Sequence, residues 1–336
     1  MIYKLANMRI EISFLESFEL GLTASDDVVF IVDMNVANLH KQLLEDVLMN
    51  KPVFLFNATE ANKNLEHLHK IYNFFLNNNV KRSTVVVVIG GGITTDISAY
   101  AASTYKRGCR LNLVPTTLLG MVDASIGGKT AVNFEMIKNN IGSFYPAEKI
   151  IIFPLFLQTL GLEEYMSGLA EVIKCALIET TDFYDELLRE KIDIKDIISR
   201  SIDFKMKLCQ QDLYDKKERR LLNLGHTFAH VIESATQYNI KHGIAVALGI
   251  RMAAKLSVKR NTLSNMGFER INEILDNFSF PNKLQDLRVE ISKAEIEKII
   301  KQDKKNDQNI NLILLSDEGA FVESGVSLAE IVEQFL

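Results

Sequence analysis

Three imidazoles form the densest chemical signal in this chain. His226 and His230 lie in Gly225-His226-Thr227-Phe228-Ala229-His230, and His242 follows in Lys241-His242-Gly243, so three of the six histidines fall within seventeen residues. A spacing of four puts the first two on one helix face, a single turn apart. His242 lies beyond the expected end of that helix and can close on the same object from the next segment. Two neutral imidazoles and one carboxylate hold zinc while leaving a coordination position open, as catalytic sites do. The carboxylate has to come from elsewhere in the chain. The bland alternative is three hydrogen-bonded helix histidines without metal, and spacing alone leaves both open.

A second signal lies in the first half, in Val88-Ile89-Gly90-Gly91-Gly92-Ile93-Thr94-Thr95-Asp96. An apolar strand running into three glycines and then a helical pattern lets backbone amides approach a pyrophosphate at a helix amino terminus. A tight turn that merely needs positive φ is the alternative, although three glycines exceed what such a turn requires. They do not make the spaced Rossmann fingerprint. Further on, Gly127-Gly128-Lys129-Thr130 resembles part of a phosphate loop, but that loop's first glycine is missing at the required spacing. A nucleotide triphosphatase is rejected on that ground.

These residues need elements to position them. Val28 to Val32, Val53 to Phe56, Val85 to Ile89 and Leu111 to Val114 are apolar runs of strand length, and Leu65, Leu68, Ile71, Tyr72, Phe75 and Leu76 repeat between them at helical spacing. Strand, helix and strand in series imply a parallel sheet covered on both faces. After about Leu160 amphipathic helices follow one another, through Glu171 to Lys174, Ile202 to Leu208 and Ala245 to Leu256. One late exception, Ile310 to Leu315, reads as a hairpin strand before a closing helix, Leu328 to Phe335. At 336 residues the chain exceeds the size of one core. The expectation is an α/β domain over 1–160 and a mostly helical domain over 161–336, with the cleft between them as the default site.

Composition narrows the partners. A formal net charge of −5 argues against nucleic acid or an anionic membrane, since both need a basic face. Any bound anion must then be met by local cations. Three cysteines, Cys109, Cys175 and Cys209, lack CxxC spacing and point to free thiols in a reducing compartment. With no apolar signal core at the start and no run of membrane-span length, a cytoplasmic protein is expected.

Taken together, the run from Gly90 to Gly108, the Pro115-to-Asn133 segment, Lys138-Asn139-Asn140-Ile141-Gly142, Gly168-Leu169-Ala170-Glu171-Val172-Ile173-Lys174 and Leu222-Asn223-Leu224-Gly225-His226-Thr227-Phe228-Ala229-His230 resemble the 3-dehydroquinate synthase family. The resemblance covers nearly the whole chain, in order and with compatible spacing. It implies a two-domain, NAD-dependent metalloenzyme of the shikimate pathway, a lyase that serves aromatic amino acid biosynthesis. Such enzymes are usually dimeric, with zinc or cobalt in the cleft.

Carried over by position, the resemblance makes Glu171, His226 and His242 the metal ligands. It assigns NAD to Asp33, Asn35, the segment from Glu60 to Lys63, the run Gly91, Gly92, Ile93, Thr94, Thr95 and Asp96, then Thr116, Thr117, Lys138, and Phe156, Leu157, Gln158 and Thr159. Asp123 and Lys129 fall near the junction of cofactor and substrate. Asn139, Lys174, Lys205, Arg219, Asn223, His230 and Lys304 match positions that hold the substrate's carboxylate, hydroxyls and phosphate, and Arg107 matches an arginine given to the neighbouring subunit. The implied reaction cyclises 3-deoxy-D-arabino-heptulosonate 7-phosphate with loss of phosphate. In it NAD takes hydride from the carbon that bears a substrate hydroxyl and returns it within the same turnover, and His230 moves the hydroxyl proton.

The chain departs from the family pattern at His242-Gly243-Ile244, where a carboxylate usually stands in place of Ile244. If that carboxylate orients the imidazole, metal affinity falls without it. Ala99-Tyr100 stands where Gly-Phe is common, and Asp215 where Glu is usual. The rivals are other sugar phosphate cyclases, a metal-dependent polyol dehydrogenase of the same fold that releases reduced cofactor, and a non-catalytic homologue. Lys205, Arg219 and Asn223 favour the substrate that carries a carboxylate.

Overall fold

Four apolar runs form adjacent strands of a seven-stranded sheet, from one edge inward: β4 (Val53–Phe56), β3 (Val28–Asp33), β5 (Val85–Gly90) and β6 (Arg110–Pro115). They join β1 (Ile2–Leu5), β2 (Met8–Phe14) and β9 (Lys149–Ile152) in the order β1-β2-β9-β6-β5-β3-β4. Only the β1–β2 pairing is antiparallel. Every residue of β3 is buried, as are five of the six in β5. Burial on both faces is why these strands read as unbroken apolar runs. The computed structural model describes residues 1–5, 8–21, 27–135, 137–179, 182–189, 191–303 and 310–335.

The parallel register decides where the cofactor candidates lie. Asp33 pairs with Phe56, Val32 with Ile89, and Gly90 with Pro115, so the carboxyl ends of β4, β3, β5 and β6 share one edge of the sheet. In open α/β sheets that edge is where ligands bind. A separate hairpin of β7 (Lys129–Phe134) and β8 (Ile137–Phe144) was not legible beforehand. Asn139, Asn140, Gly142 and Ser143 are weak strand formers, and tertiary contact overrides them. A Cβ at Gly142 would stand 2.1 Å from the Thr130 carbonyl oxygen, so only glycine fits that crossing.

The chain divides into two units, Met1–Gly161 with Lys205–Tyr214, and Leu162–Phe204 with Asp215–Leu336. The second is mostly helical, with principal helices Leu162–Glu179, His226–Ala235, His242–Lys259 and Asn265–Asn277. The run from Ile310 pairs as expected, β10 (Ile310–Ser316) against β11 (Gly319–Val326), before the helix Leu328–Glu333. Helix Leu162–Glu179 is buried without a break from Ser167 to Ile178, and this interior stretch includes Glu171 and Lys174. A charged pair inside such a helix has to be held by partners, because an isolated buried charge is too costly.

Candidate functional site

In the helical unit Glu171, His226 and His242 come together, each offering a ligand atom, with all three atoms within 4.8 Å of one another. They arrive from three different helices. His226 opens helix His226–Ala235 and His242 opens helix His242–Lys259, while Glu171 lies midway along Leu162–Glu179. His226 Nε2 is 3.8 Å and His242 Nε2 is 3.5 Å from Glu171 Oε1. Glu171 is 1 % exposed, and the Lys174 ammonium ion-pairs with its Oε2. A buried carboxylate facing two imidazole nitrogens suits a divalent cation.

Two glycine contacts set this geometry. A Cβ on Gly243 would lie 2.3 Å from the Ser167 Cα and carbonyl oxygen, so the start of helix His242–Lys259 rests directly on the backbone one turn before Glu171. A Cβ on Gly249 would lie 2.1 Å from the Gly225 carbonyl oxygen. Gly225 itself has φ +78, a left-handed conformation that glycine adopts without strain. The Leu224 carbonyl then faces His226 Nδ1 at 3.1 Å. Among these groups burial, then Lys174, pushes His226 down to about 3. Burial would also lower His242, but the Glu171 and Glu233 carboxylates beside it outweigh burial and push it up to about 10. Burial alone would raise Glu171, yet the Lys174 ammonium and the imidazoles hold it well below the usual range.

His230 stays outside the triad. It lies one turn beyond His226 with ring centroids 5.9 Å apart, exposed where the ligands are sheltered. Arg219 and Asn223 share the short turn Glu218–Asn223, the arginine 2 % exposed and the asparagine exposed. Lys304 lies outside the described residues.

In the α/β unit the cofactor candidates line the sheet edge. Gly91 caps helix Gly92–Thr104 without a side-chain hydrogen bond, which leaves the first amides of that helix available to an anion. None of Gly90, Gly91 and Gly92 has positive φ. Their role is close packing: a Cβ at Gly90 would meet Thr94 Cβ at 2.7 Å, and one at Gly91 would meet Thr117 Cγ2 at 2.9 Å. Asp33, at the end of β3, accepts from Asn35 N at 2.8 Å, and burial raises its carboxyl. Thr116 is buried, its amide donating to the Gly90 carbonyl. Phe156 is buried in the turn Pro154–Thr159, where His40 Nε2 meets Thr159 Oγ1 at 2.7 Å, a contact that sequence reasoning missed.

Several charged side chains in this unit are paired. Lys63 Nζ donates to Asp96 Oδ2 and Asn139 Oδ1, both at 2.5 Å, and Lys138 is 3.9 Å from Glu60. Burial raises the Asp96 carboxyl, with Lys63 acting against it. Lys205 Nζ donates to Asp123 Oδ1 and its carbonyl, both at 2.6 Å. Asn133, missed in the sequence, ties this network together by donating to Glu60 Oε1 at 2.7 Å and accepting from the Asn139 amide at 2.9 Å. Lys129 is exposed at the start of β7. Arg107 is exposed on a turn where Lys106 and Arg107 both have positive φ, 50 and 65.

The 3-dehydroquinate synthase N-terminal family profile matches residues 53–167, and the 3-dehydroquinate synthase C-terminal profile matches residues 168–306. A 3-dehydroquinate synthase from Campylobacter concisus is 34% identical over 337 residues, covering 98% of this chain and 96% of the relative. Among solved structures, a 2-deoxy-scyllo-inosose synthase complexed with carbaglucose-6-phosphate, NAD+ and Co2+ aligns with a TM-score of 0.87 at 25% identity, covering 100% of this chain and 98% of that one. A 2-epi-5-epi-valiolone synthase from Streptomyces hygroscopicus, with NAD+ and Zn2+ bound, aligns with a TM-score of 0.84 at 24% identity, covering 98% and 96%.

Proposed function

The chain belongs to the 3-dehydroquinate synthase family, and from that premise we infer that the residues assembled above carry the family's reaction. The protein is an NAD- and metal-dependent lyase that cyclises 3-deoxy-D-arabino-heptulosonate 7-phosphate to 3-dehydroquinate with loss of phosphate. The observation that carries this reading at the level of residues is the Glu171, His226 and His242 triad, a donor set suited to an ion that also binds substrate oxygens.

When bound, the divalent ion, zinc or cobalt, supplies Lewis acidity to vicinal substrate hydroxyls, and NAD supplies a hydride acceptor that is restored within the turnover. Glu171, His226 and His242 hold the ion. His230, exposed one turn from a ligand, takes the hydroxyl proton as a general base. Lys174, Lys205, Arg219, Asn223 and Asn139 meet the carboxylate, hydroxyls and phosphate, which answers the need of an acidic chain for local cations. Lys205 already pairs with Asp123, so the arriving anion shares an ammonium that is held in place rather than one that must be ordered. The edge formed by Asp33, Gly91 to Asp96, Thr116, Thr117 and Phe156 to Thr159 cradles NAD, with 1–160 as the cofactor domain and 161–336 as the metal and substrate domain.

The protein works as a homodimer. An exposed Arg107 on a left-handed turn supports its presentation to a second copy. Three buried, unbridged cysteines support a reducing, cytoplasmic setting. Among the described residues no helix is long and apolar enough to cross a membrane.

The test incubates metal-loaded protein with NAD and the heptulosonate phosphate, following phosphate, the carbocyclic product and NADH. Phosphate and dehydroquinate should form in equal amounts with no net NADH. Stoichiometric NADH from polyols would identify a dehydrogenase instead, and preference for a sugar phosphate without the carboxylate would indicate another cyclase.

A further inference from the structure

We propose that Glu233 is the positioning residue of His242, donating no bond to the metal itself but fixing which imidazole nitrogen the metal meets. This rests on the metal-site reading above and deepens it. Glu233 lies seven residues after His226, two helical turns along the same face, and is 4 % exposed. Its Oε2 stands 3.4 Å from His242 Nδ1, while His242 Nε2, on the other side of the ring, stands 3.5 Å from Glu171 Oε1. With Nδ1–H directed at Glu233, the Nε2 lone pair is left for the cation.

The placement of Glu233 has no local rationale. It falls in the last turn of helix His226–Ala235, where the helix dipole disfavours a carboxylate. It is also buried, which disfavours the charged form further. A tertiary partner is required, and His242 supplies one. The two imidazoles are thus held by unlike acceptors, His226 by the neutral Leu224 carbonyl and His242 by a carboxylate. Glu171 and Glu233 thus place two buried carboxylates beside His242, with the Lys174 ammonium ion-paired to Glu171. Paired carboxylates about the imidazole favour a divalent ion. Position 244, two residues after the ligand, is isoleucine and carries no such charge.

The experiment compares full-length wild type, Glu233→Gln and Glu233→Ala, each stripped of metal, by chelator competition with Zn2+ and by the visible absorption of the Co2+-loaded form. Thermal unfolding of the metal-free proteins is recorded in parallel. The Ala variant should bind Zn2+ on the order of 10- to 100-fold more weakly, with altered Co2+ bands at saturation. Gln, which keeps an acceptor oxygen but not the charge, should fall between, and NAD affinity should not change in either. Should Ala fail to fold, the Gln variant alone decides by its affinity and bands. Unchanged Zn2+ affinity and unchanged Co2+ bands in folded variants would overturn the proposal, as would a wild type that binds no divalent ion. A wild type that binds metal but does not turn over the heptulosonate phosphate would sink the functional reading, while the affinity series would still decide the role of Glu233.

Discussion

In the helical unit the candidate ligands sit on regular helices pinned to one another by backbone contacts, at Gly243 against Ser167 and at Gly249 against Gly225. In the α/β unit the candidate cofactor residues sit at strand ends and turns, and paired charges hold them, Lys63 with Asp96 and Lys205 with Asp123. The difference matches the ligand proposed for each region. A metal ion demands donors at about 2 Å with little tolerance, so the scaffold must fix their positions in advance. A dinucleotide spreads its contacts over a long edge, where each group needs only to remain charged, satisfied and near.

The strongest way to break this comparison is to remove a ligand. Glu171→Gln and His226→Ala should each reduce bound metal and phosphate release to background, while NAD binding by the α/β unit persists; metal analysis and NAD titration check both. Metal retained in either variant would mean that the three-helix site is not the centre. Next in size, His230→Ala should keep its metal and turn over about 10²- to 10⁴-fold more slowly, as loss of a proton-transfer group does. Loss of metal in that variant would exchange the roles of ligand and base.

Arg219→Ala and Lys205→Met should each cost on the order of 2 kcal/mol or more in transition-state binding, tens of fold in kcat/KM, with metal affinity intact. The loss should be much smaller for an analogue that lacks the carboxylate. Equal losses for the two ligands would make these cations supports of the fold or of the phosphate site.

Smaller effects sharpen the contrast between the units. Gly243→Ala drives a methyl group into Ser167 backbone and should cost about 1–3 kcal/mol of stability together with metal affinity. Gly91→Ala meets only the Thr117 methyl at 2.9 Å, a side chain able to rotate away, and should fall at or below the low end of that range. Urea titration of the two metal-free variants would reveal any reversal of this order. The least effect is expected at Asp33. Its carboxyl is raised by burial, so the folded state favours the protonated form and stability falls as pH rises from the ordinary value near 3.8 through the raised one. Asn at this position still caps the Asn35 amide. Asp33→Asn should therefore be as stable as wild type or slightly more so at neutral pH, with the gain vanishing in acid and NAD affinity weakened. A stability loss at neutral pH would show that the charged form is favoured by the fold.

Legibility in the sequence followed burial. β3 and β5 announce themselves because burial on both faces leaves almost only apolar residues, while β1, β2, β7 and β8 are half-exposed and mix polar residues into short runs. β9, Lys149-Ile150-Ile151-Ile152, was missed although it is as long as β4. Glu233 could have been noticed as the same helix face two turns beyond His226, but nothing local singles it out from other helix glutamates.

The sequence by itself determined the parallel-sheet and helical halves, the cluster of imidazoles and, through the order of its motifs, the family. These are properties of short-range patterning, in which hydrophobic period and residue spacing suffice. Spacing put His226 and His230 on one face and could not say which ring would meet Glu171. That choice, and the choice of Glu233 as the carboxylate beside His242, were made by the tertiary structure. Helix Leu162–Glu179 and the two consecutive helices His226–Ala235 and His242–Lys259 meet where glycines let their backbones touch, and that packing decides which nitrogen and which oxygen come within reach.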